Sequence, residues 1–425
     1  MLTVIILIIF IAGYLAIALE HKIHVNKAAS ALITGVLCWT VYILEGSDAH
    51  IVSEELLHGF GEIASILFFL MGAMTIVELV DSHNGFEIIT QGIGTKSKTK
   101  LLFIVALLTF FLSALLDNLT TSIVMTSLCV KLLPDKEDRL WFAGIIIIAA
   151  NFGGAWSPLG DVTTTMLWIG KQVTALKVIY TLIVPCIAGC IVPVLIVARR
   201  FKGKRLQLLP QKESTTTERR EGKTVLITGL GFLIFVPAFK TFTHLPPFMG
   251  MLLALGLMWV IITIIHKNKE AEYREKYTVA RALQRIDTPS ILFFLGILLA
   301  VGALQSVGIL KSLAGLLSNT FKNDYAIGTL LGLLSAVVDN VPLVAATQGM
   351  YDLNAYPTDH SFWQFIALAT GSGGSALIIG SAAGVAVMGI EQIDFIWYLK
   401  KISWIALVGF AVAVGVFLLQ HYLLS

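Results

Sequence analysis

The chain has 425 residues, of which 56% are hydrophobic and only 13% charged, and its mean hydropathy is +0.84. A soluble domain of this length needs far more polar surface, so the composition points to an all-α polytopic membrane protein. The net charge of +3 says nothing of nucleic acid, and the expected partner is the lipid bilayer, where basic residues report orientation.

In chain order, apolar spans are predicted near 2–19, 28–44 and 60–80, then an apolar pair of short helices over 100–131, then spans near 141–170 and 174–198. The first segment lacks a basic leader and a small-residue cleavage site, and reads as a retained span. A polar, basic linker occupies 199–223. Beyond it come spans near 224–240, 247–266 and 289–307, a second pair over 324–351, and spans near 361–390 and 402–424.

The linker divides two similar halves, 1–198 and 224–425. "ILFFLMG" at 66–72 echoes "ILFFLGI" at 291–297, "SALLDN" at 113–118 echoes "SAVVDN" at 335–340, and "NFGGAWSPLG" at 151–160 echoes "GSGGSALIIG" at 371–380. Three anchors in one order at nearly one spacing indicate a tandem duplication. Each pair of short helices is too long for one straight span and carries Asp-Asn at its middle, which is the pattern of a re-entrant hairpin. With each hairpin counted as non-crossing, each half has five spans, one hairpin and one broken helix. An odd number makes the second half an inverted repeat of the first, with scaffold and transport domains interleaved across both halves.

Basic residues agree. With both termini outside, all Lys and Arg fall on the inner side except Lys171, Lys177, Lys240, Lys311 and Lys322. The loop at 45–59, which has no Lys or Arg, is placed outside.

Asp117 and Asp339, at the hairpin tips, stand in apolar sequence where a charge is costly. Each caps the returning hairpin helix, or each serves an ion site. Asn118, Thr120 and Thr121 follow the first, and Asn340 and Pro342 the second. The glycine-rich breaks at 151–165 and 371–384 either unwind to bare carbonyls or let helices pack closely. Asn151, Ser157, Ser372 and Ser375 would add neutral oxygens. Asp161 lies in the first break and matches Ser381 in the second. Glu78 matches Ala303 and belongs either to the ion path or to the inner interface. Oxygen ligands of this kind suit a hard monovalent cation, with Asp117, Asn118, Asp339 and Asn340 expected to hold Na⁺. A desolvated carboxylate also holds a proton more readily, so cation and proton would compete for one site. No cofactor is expected; Na⁺, Li⁺ and H⁺ are cargo. Cys38, Cys129, Cys186 and Cys190 read as small buried residues.

The motifs "SALLDNLTTSIVMTSL", "NFGGAWSPLGDVTTTMLW" and "SAVVDNVPLVAA" together resemble the NhaD-type sodium/proton antiporters of the ion transporter superfamily. The resemblance implies Na⁺(Li⁺)/H⁺ exchange by alternating access across the bacterial cytoplasmic membrane. It also implies a homodimer, and binding residues at Asp117, Asn118, Thr120, Asn151, Ser157, Asp339 and Asn340. Pro342, where a hydroxyl would match Thr120 or Thr121, makes the two sides of the site unequal. A carrier of a small anion such as arsenite or a carboxylate is the alternative. An intramembrane enzyme has no paired catalytic residues to support it.

Overall fold

A computed structural model of the chain describes residues 2–44, 48–86, 88, 95–205 and 216–424, and these are almost entirely helical. The middle of the predicted linker, 206–215, lies outside the described residues. Among the described residues, eight helices are long and apolar enough to cross a membrane, or nine if one bent pair is a single span. This count does not establish five spans per half; the spans expected near 141–170 and 361–390 divide into shorter helices.

The first group of helices comprises α1 (Leu2–Ala18), α3 (Lys27–Leu44), α4 (Ala49–Ser82), α10 (Thr216–Thr243), α11 (Pro247–His266) and α14 (Thr288–Ser306), with short α2 (Glu20–Ile23), α12 (Ala271–Lys276) and α13 (Val279–Arg285) at their ends. α3 and α14 touch backbone to backbone: a Cβ on Gly35 would lie 2.6 Å from the Gly296 carbonyl oxygen. Trp39 seals the crossing by donating from Nε1 to the Leu299 carbonyl at 2.8 Å. Without a hydrophobic force between helices in lipid, such close van der Waals approach is what holds spans together. Val4, Ile8, Ile11 and Leu15 form an exposed face of α1, as lipid-facing residues do.

The second group holds the two helix–break–helix elements and the spans beside them. α5 (Lys98–Leu116) and α6 (Asn118–Leu132) stand where the first hairpin is expected, and α16 (Asp324–Leu334) and α17 (Asn340–Met350) where the second is. α7 (Lys136–Ala155) breaks before α8 (Val162–Ile169), and α18 (Ser361–Gly373) breaks before α19 (Ala382–Glu391). α9 (Ala175–Ala198), α20 (Phe395–Lys401) and α21 (Ser403–Leu424) complete the group, with α9 packed on α21.

Two elements differ from expectation. α4 is 34 residues long, about 51 Å, because Asp48 caps it by accepting from His50 N–H; most of the outer loop at 45–59 is therefore helix. α15 (Ile309–Phe321) lies where no element is predicted, bounded by left-handed residues at Gly308 and Lys322.

At one end of the first group, His83 donates from Nδ1 to the Leu79 carbonyl (2.6 Å), leaving Nε2 to meet Nε2 of His266 at 2.9 Å under the ring of Tyr277. Burial first, and the neighbouring His266 with it, hold His83 down at about 4 against the usual 6.5, although the Leu79 hydrogen bond opposes this. Between those values the unfolded chain binds the extra proton. Stability should therefore be complete above pH 6.5 and fall as pH drops from 6.5 to 4. Replacing His83 by Phe should flatten that stretch of a melting-temperature profile; an unchanged slope would show that other groups set it.

Candidate ion-binding site

Four helices begin in the same region, and each is capped by a side chain at its N-terminus. Asp117 accepts from Thr120 N–H at 2.8 Å, Asp161 from Thr163 N–H at 2.9 Å, Asp339 from Val341 N–H at 3.1 Å, and Ser381 from Gly384 N–H at 3.2 Å. These contacts satisfy N–H groups that a helix start leaves open, and the three carboxylates stand at the positive ends of helix dipoles. Capping is thus real at both hairpin tips.

The meeting point of the two hairpins is Asp161, and it is 1% exposed. Asn118 Nδ2, from the first tip, donates to Asp161 Oδ2 at 2.8 Å. Asn340 Nδ2, from the second tip, reaches the same carboxylate at 3.4 and 3.5 Å. Thr163 Oγ1 donates to Oδ1 at 2.8 Å. The Asn118 amide also donates to Asn151 Oδ1 at 3.1 Å, and Asn151 Nδ2 donates to Ser381 Oγ at 3.1 Å. One hydrogen-bonded chain therefore joins both hairpins and both breaks. Among the described residues, no Lys, Arg or His nitrogen forms an ion pair with Asp161. A desolvated carboxylate held only by neutral donors is ready to take up a cation or a proton.

Asp117 and Asp339 flank this centre in different ways. Both Asp117 oxygens accept from Thr120, the second from Oγ1 at 2.9 Å. The Asp117 backbone sits at φ 78° and ψ 158°, a region nearly reserved for glycine, which costs on the order of 1–3 kcal/mol. A small cavity beside it is walled by Phe69, Ala73 and Met74 of α4 and by Leu159 and Val162. Asp339 instead faces the first helix group, with Lys27 Nζ at 3.9 Å and Tyr14 beside it.

The other predicted residues divide. Thr121 is fully buried at the tip with an unpartnered hydroxyl. Ser157 donates to the Ala114 carbonyl, Ser372 to Leu368 and Ser375 to Ser372, so these three hydroxyls are turned to backbone. Glu78 pairs with Arg285 at 3.5 Å near the end of α4, about a turn past the cavity lining at Met74. It is an ion-pair residue in this conformation.

The glycine breaks serve close approach. A Cβ on Gly153 would stand 2.3 Å from the Phe110 carbonyl oxygen, and one on Gly373 would stand 1.9 Å from that of Gly332. Carbonyls near the breaks are covered by hydroxyls: Ser113 donates to Ala150, Ser335 to Thr370, Thr164 to Ala155 and Thr165 to Pro158. Ser113 and Ser335 are the leading residues of "SALLDN" and "SAVVDN", and their repetition marks them in the sequence. Thr163, Ser381 and Lys27 carry no such mark. Among the described residues, no three His, Cys, Asp or Glu side chains are placed to hold a metal ion together, so a bound cation would draw on amides and hydroxyls as well.

Buried acids at the ends of broken helices, inside a bundle of apolar spans, define a multi-pass membrane transporter. The chain belongs to the citrate transporter family, CitMHS, whose model matches residues 5–371. Sodium/proton antiporter 1 of Arabidopsis thaliana is 46% identical over 98% of this chain and 72% of its own length. Sodium/proton antiporter 2 of the same plant is 42% identical, covering 97% and 99%. The Na⁺/H⁺ antiporter NhaD of Vibrio cholerae is 30% identical over 98% and 91%, which bears out the resemblance read from the motifs. Among solved structures, the YdaH transporter of Alcanivorax borkumensis superposes with a TM-score of 0.57 at 14% identity, covering 87% of this chain and 88% of that one. That likeness concerns the fold alone.

Proposed function

We propose that this transporter exchanges Na⁺ or Li⁺ for H⁺, with the two ions competing for one site around Asp161 and the hairpin-tip acids Asp117 and Asp339. The observation that carries this reading is the Asp161 carboxylate, buried and bound only by neutral donors, from both hairpin tips and from Thr163 of the helix it caps. Coordinated Na⁺ would stabilise the ionised carboxylate, and a proton would neutralise it; either state is tolerable at that depth, while the bare charge is costly. Moving the two hairpins against the first helix group would expose the site to each side in turn.

The recurrence of contacts supports an inverted repeat over 1–198 and 224–425. Ser113 to Ala150 matches Ser335 to Thr370, and Gly153 against Phe110 matches Gly373 against Gly332. Outward-facing termini rest on the distribution of basic residues. A homodimer is proposed from the resemblance, as is the bacterial cytoplasmic membrane, although two relatives above 40% identity come from a plant. The family's description favours a second reading, carriage of a carboxylate anion. Three acids at the helix starts oppose it, because they occupy the positive ends that an anion would need.

Proteoliposomes under a Na⁺ gradient, with internal pH read by a dye, decide between the two. Na⁺- or Li⁺-driven proton movement, absent with K⁺, supports exchange. Na⁺ entry that requires citrate or another anion supports the second reading. Asp117→Asn and Asp339→Asn should each insert normally and lose exchange; full exchange by both would remove the tip acids from the site.

A further inference from the structure

We propose that the face of α6 carrying Ser122, Thr126 and Cys129 lines the route between the Asp161 centre and the aqueous side at the basic ends of the helices, and that Arg139 and Glu391 close that route in this conformation. The proposal rests on the ion-exchange reading of the Asp161 centre.

α6 and α19 both start at the centre, through Asn118 and Ser381, and pack along each other away from it. Positions 118, 122, 126 and 129 recur at helical spacing, so they share one stripe of α6. The stripe begins at the amide bonded to Asp161 and ends at Cys129, which lies beside the Glu391 carboxylate at the far end of α19. Ser122 and Thr126 are at most 1% exposed, and their hydroxyls have no partner. Other buried helical hydroxyls behave differently. Thr75, Thr109, Thr347 and Thr370, equally buried in helices, each donate to the carbonyl four residues back. Buried hydroxyls that forgo that bond stand available to water or a passing cation.

The matching stripe of α17 has no such character. Val344 replaces Ser122, Gln348 replaces Thr126 and is bonded to Met166 and Gln172, and Tyr351 replaces Cys129. Of the two matching stripes, the open hydroxyls therefore lie only on that of α6.

At the far end, Arg139 Nε donates to both Glu391 oxygens at 2.9 and 3.1 Å, while its Nη1 donates to the Leu133 and Pro134 carbonyls at 3.1 and 3.2 Å. One guanidinium thus ties the end of the first hairpin to the end of α19. Lys131, Lys136, Lys400 and Lys401 lie at the same ends, which the charge rule places inside. The Nε–H shared between the two carboxylate oxygens makes one charge-assisted contact, which can form and break in a single step.

Cys129 is a built-in reporter. Full-length protein keeping Cys129 but carrying Cys38→Ala, Cys186→Ala and Cys190→Ala would be reconstituted and exposed to Ag⁺, a thiol-reactive monovalent cation, on the basic side. Thiol modification would be read by mass spectrometry, independently of transport. Cys129 should react, saturating Na⁺ should slow the reaction, and Glu391→Gln should speed it about tenfold by opening the inner end. A Cys129 that stays unmodified while exchange proceeds, or that reacts equally with and without Glu391→Gln, would overturn the route. In otherwise native protein, Thr126→Val should lower turnover about tenfold with an unchanged melting temperature; native turnover would also count against it. If the native protein moves neither Na⁺ nor H⁺, the exchange reading fails, and the labelling result alone then decides whether an open path exists.

Discussion

Asp161→Asn is expected to abolish Na⁺-driven proton movement, lowering it at least about 100-fold, while leaving the protein folded and inserted. A neutral amide can neither take up the proton nor offer Na⁺ a negative charge, and at 1.36 kcal/mol per tenfold in rate a 100-fold loss corresponds to about 2.7 kcal/mol. The asparagine is nearly the same shape, and its Oδ1 can still accept from Thr163 N–H and so keep the cap of α8. What it loses is the ability to ionise, and with it both cargoes. The Nδ2 that replaces Oδ2 cannot accept from Asn118, so that amide must turn to offer its oxygen, while Oδ1 keeps its 3.5 Å contact with Asn340 Nδ2 and the hairpins should remain docked. The measurement is paired: exchange in proteoliposomes and the melting temperature of the same purified protein. Loss of exchange with a melting temperature near native identifies the carboxylate as the ion-handling group. Retained exchange would shift the centre to Asp117 or Asp339, and loss of fold would make Asp161 structural.

Gly373→Val should be the most damaging change away from the acids. Its Cβ would sit 1.9 Å from the carbonyl oxygen of Gly332, and that oxygen is backbone, with no rotamer to turn away. α18 and the first half of the second hairpin would have to separate, opening the packing that places Asn340. Overpacking typically costs about 1–3 kcal/mol, and a backbone clash at two helices belongs at or beyond the upper end. Little folded protein should survive detergent extraction. Gly153→Val is the counterpart at the first hairpin, where the approach to Phe110 is 2.3 Å. Gly256→Ala is the control: nothing lies within 4 Å of its Cβ, so it should hold or slightly raise the melting temperature. Equal stability of Gly373→Val and Gly256→Ala would show that the close approach does not support the fold.

Much of this arrangement is legible in the chain. Hydrophobic runs of span length locate the helices, and Asp-Asn at the centre of each 30-residue apolar pair locates the hairpin tips, because a charge there interrupts helix and oil together. The glycine pairs locate the breaks. Two elements resist such reading for physical reasons. α15 is short and amphipathic, so its mix of Lys311, Ser312 and Ser318 with leucines resembles a loop until it packs on α17. α4 extends through Glu54 and Glu55, which hydropathy excludes from a span although helix propensity does not.

The rank of the acids could not be read the same way. The repeat draws attention to Asp117 and Asp339, since symmetry is visible in one dimension. Asp161 breaks that symmetry, with Ser381 in its place, and so looks secondary in the sequence. Its centrality arises because Asn118 lies 43 residues away and Asn340 lies 179 away, and only the docking of two hairpins on two broken helices brings both amides to one carboxylate. Composition and periodicity determine which segments enter the membrane and where their helices stop, because those depend on local chemistry and the length of the apolar run. Which buried acid stands at the crossing, and which hydroxyls are left open beside it, depends on contacts between segments far apart in the chain, where glycine-scale differences in approach decide what meets.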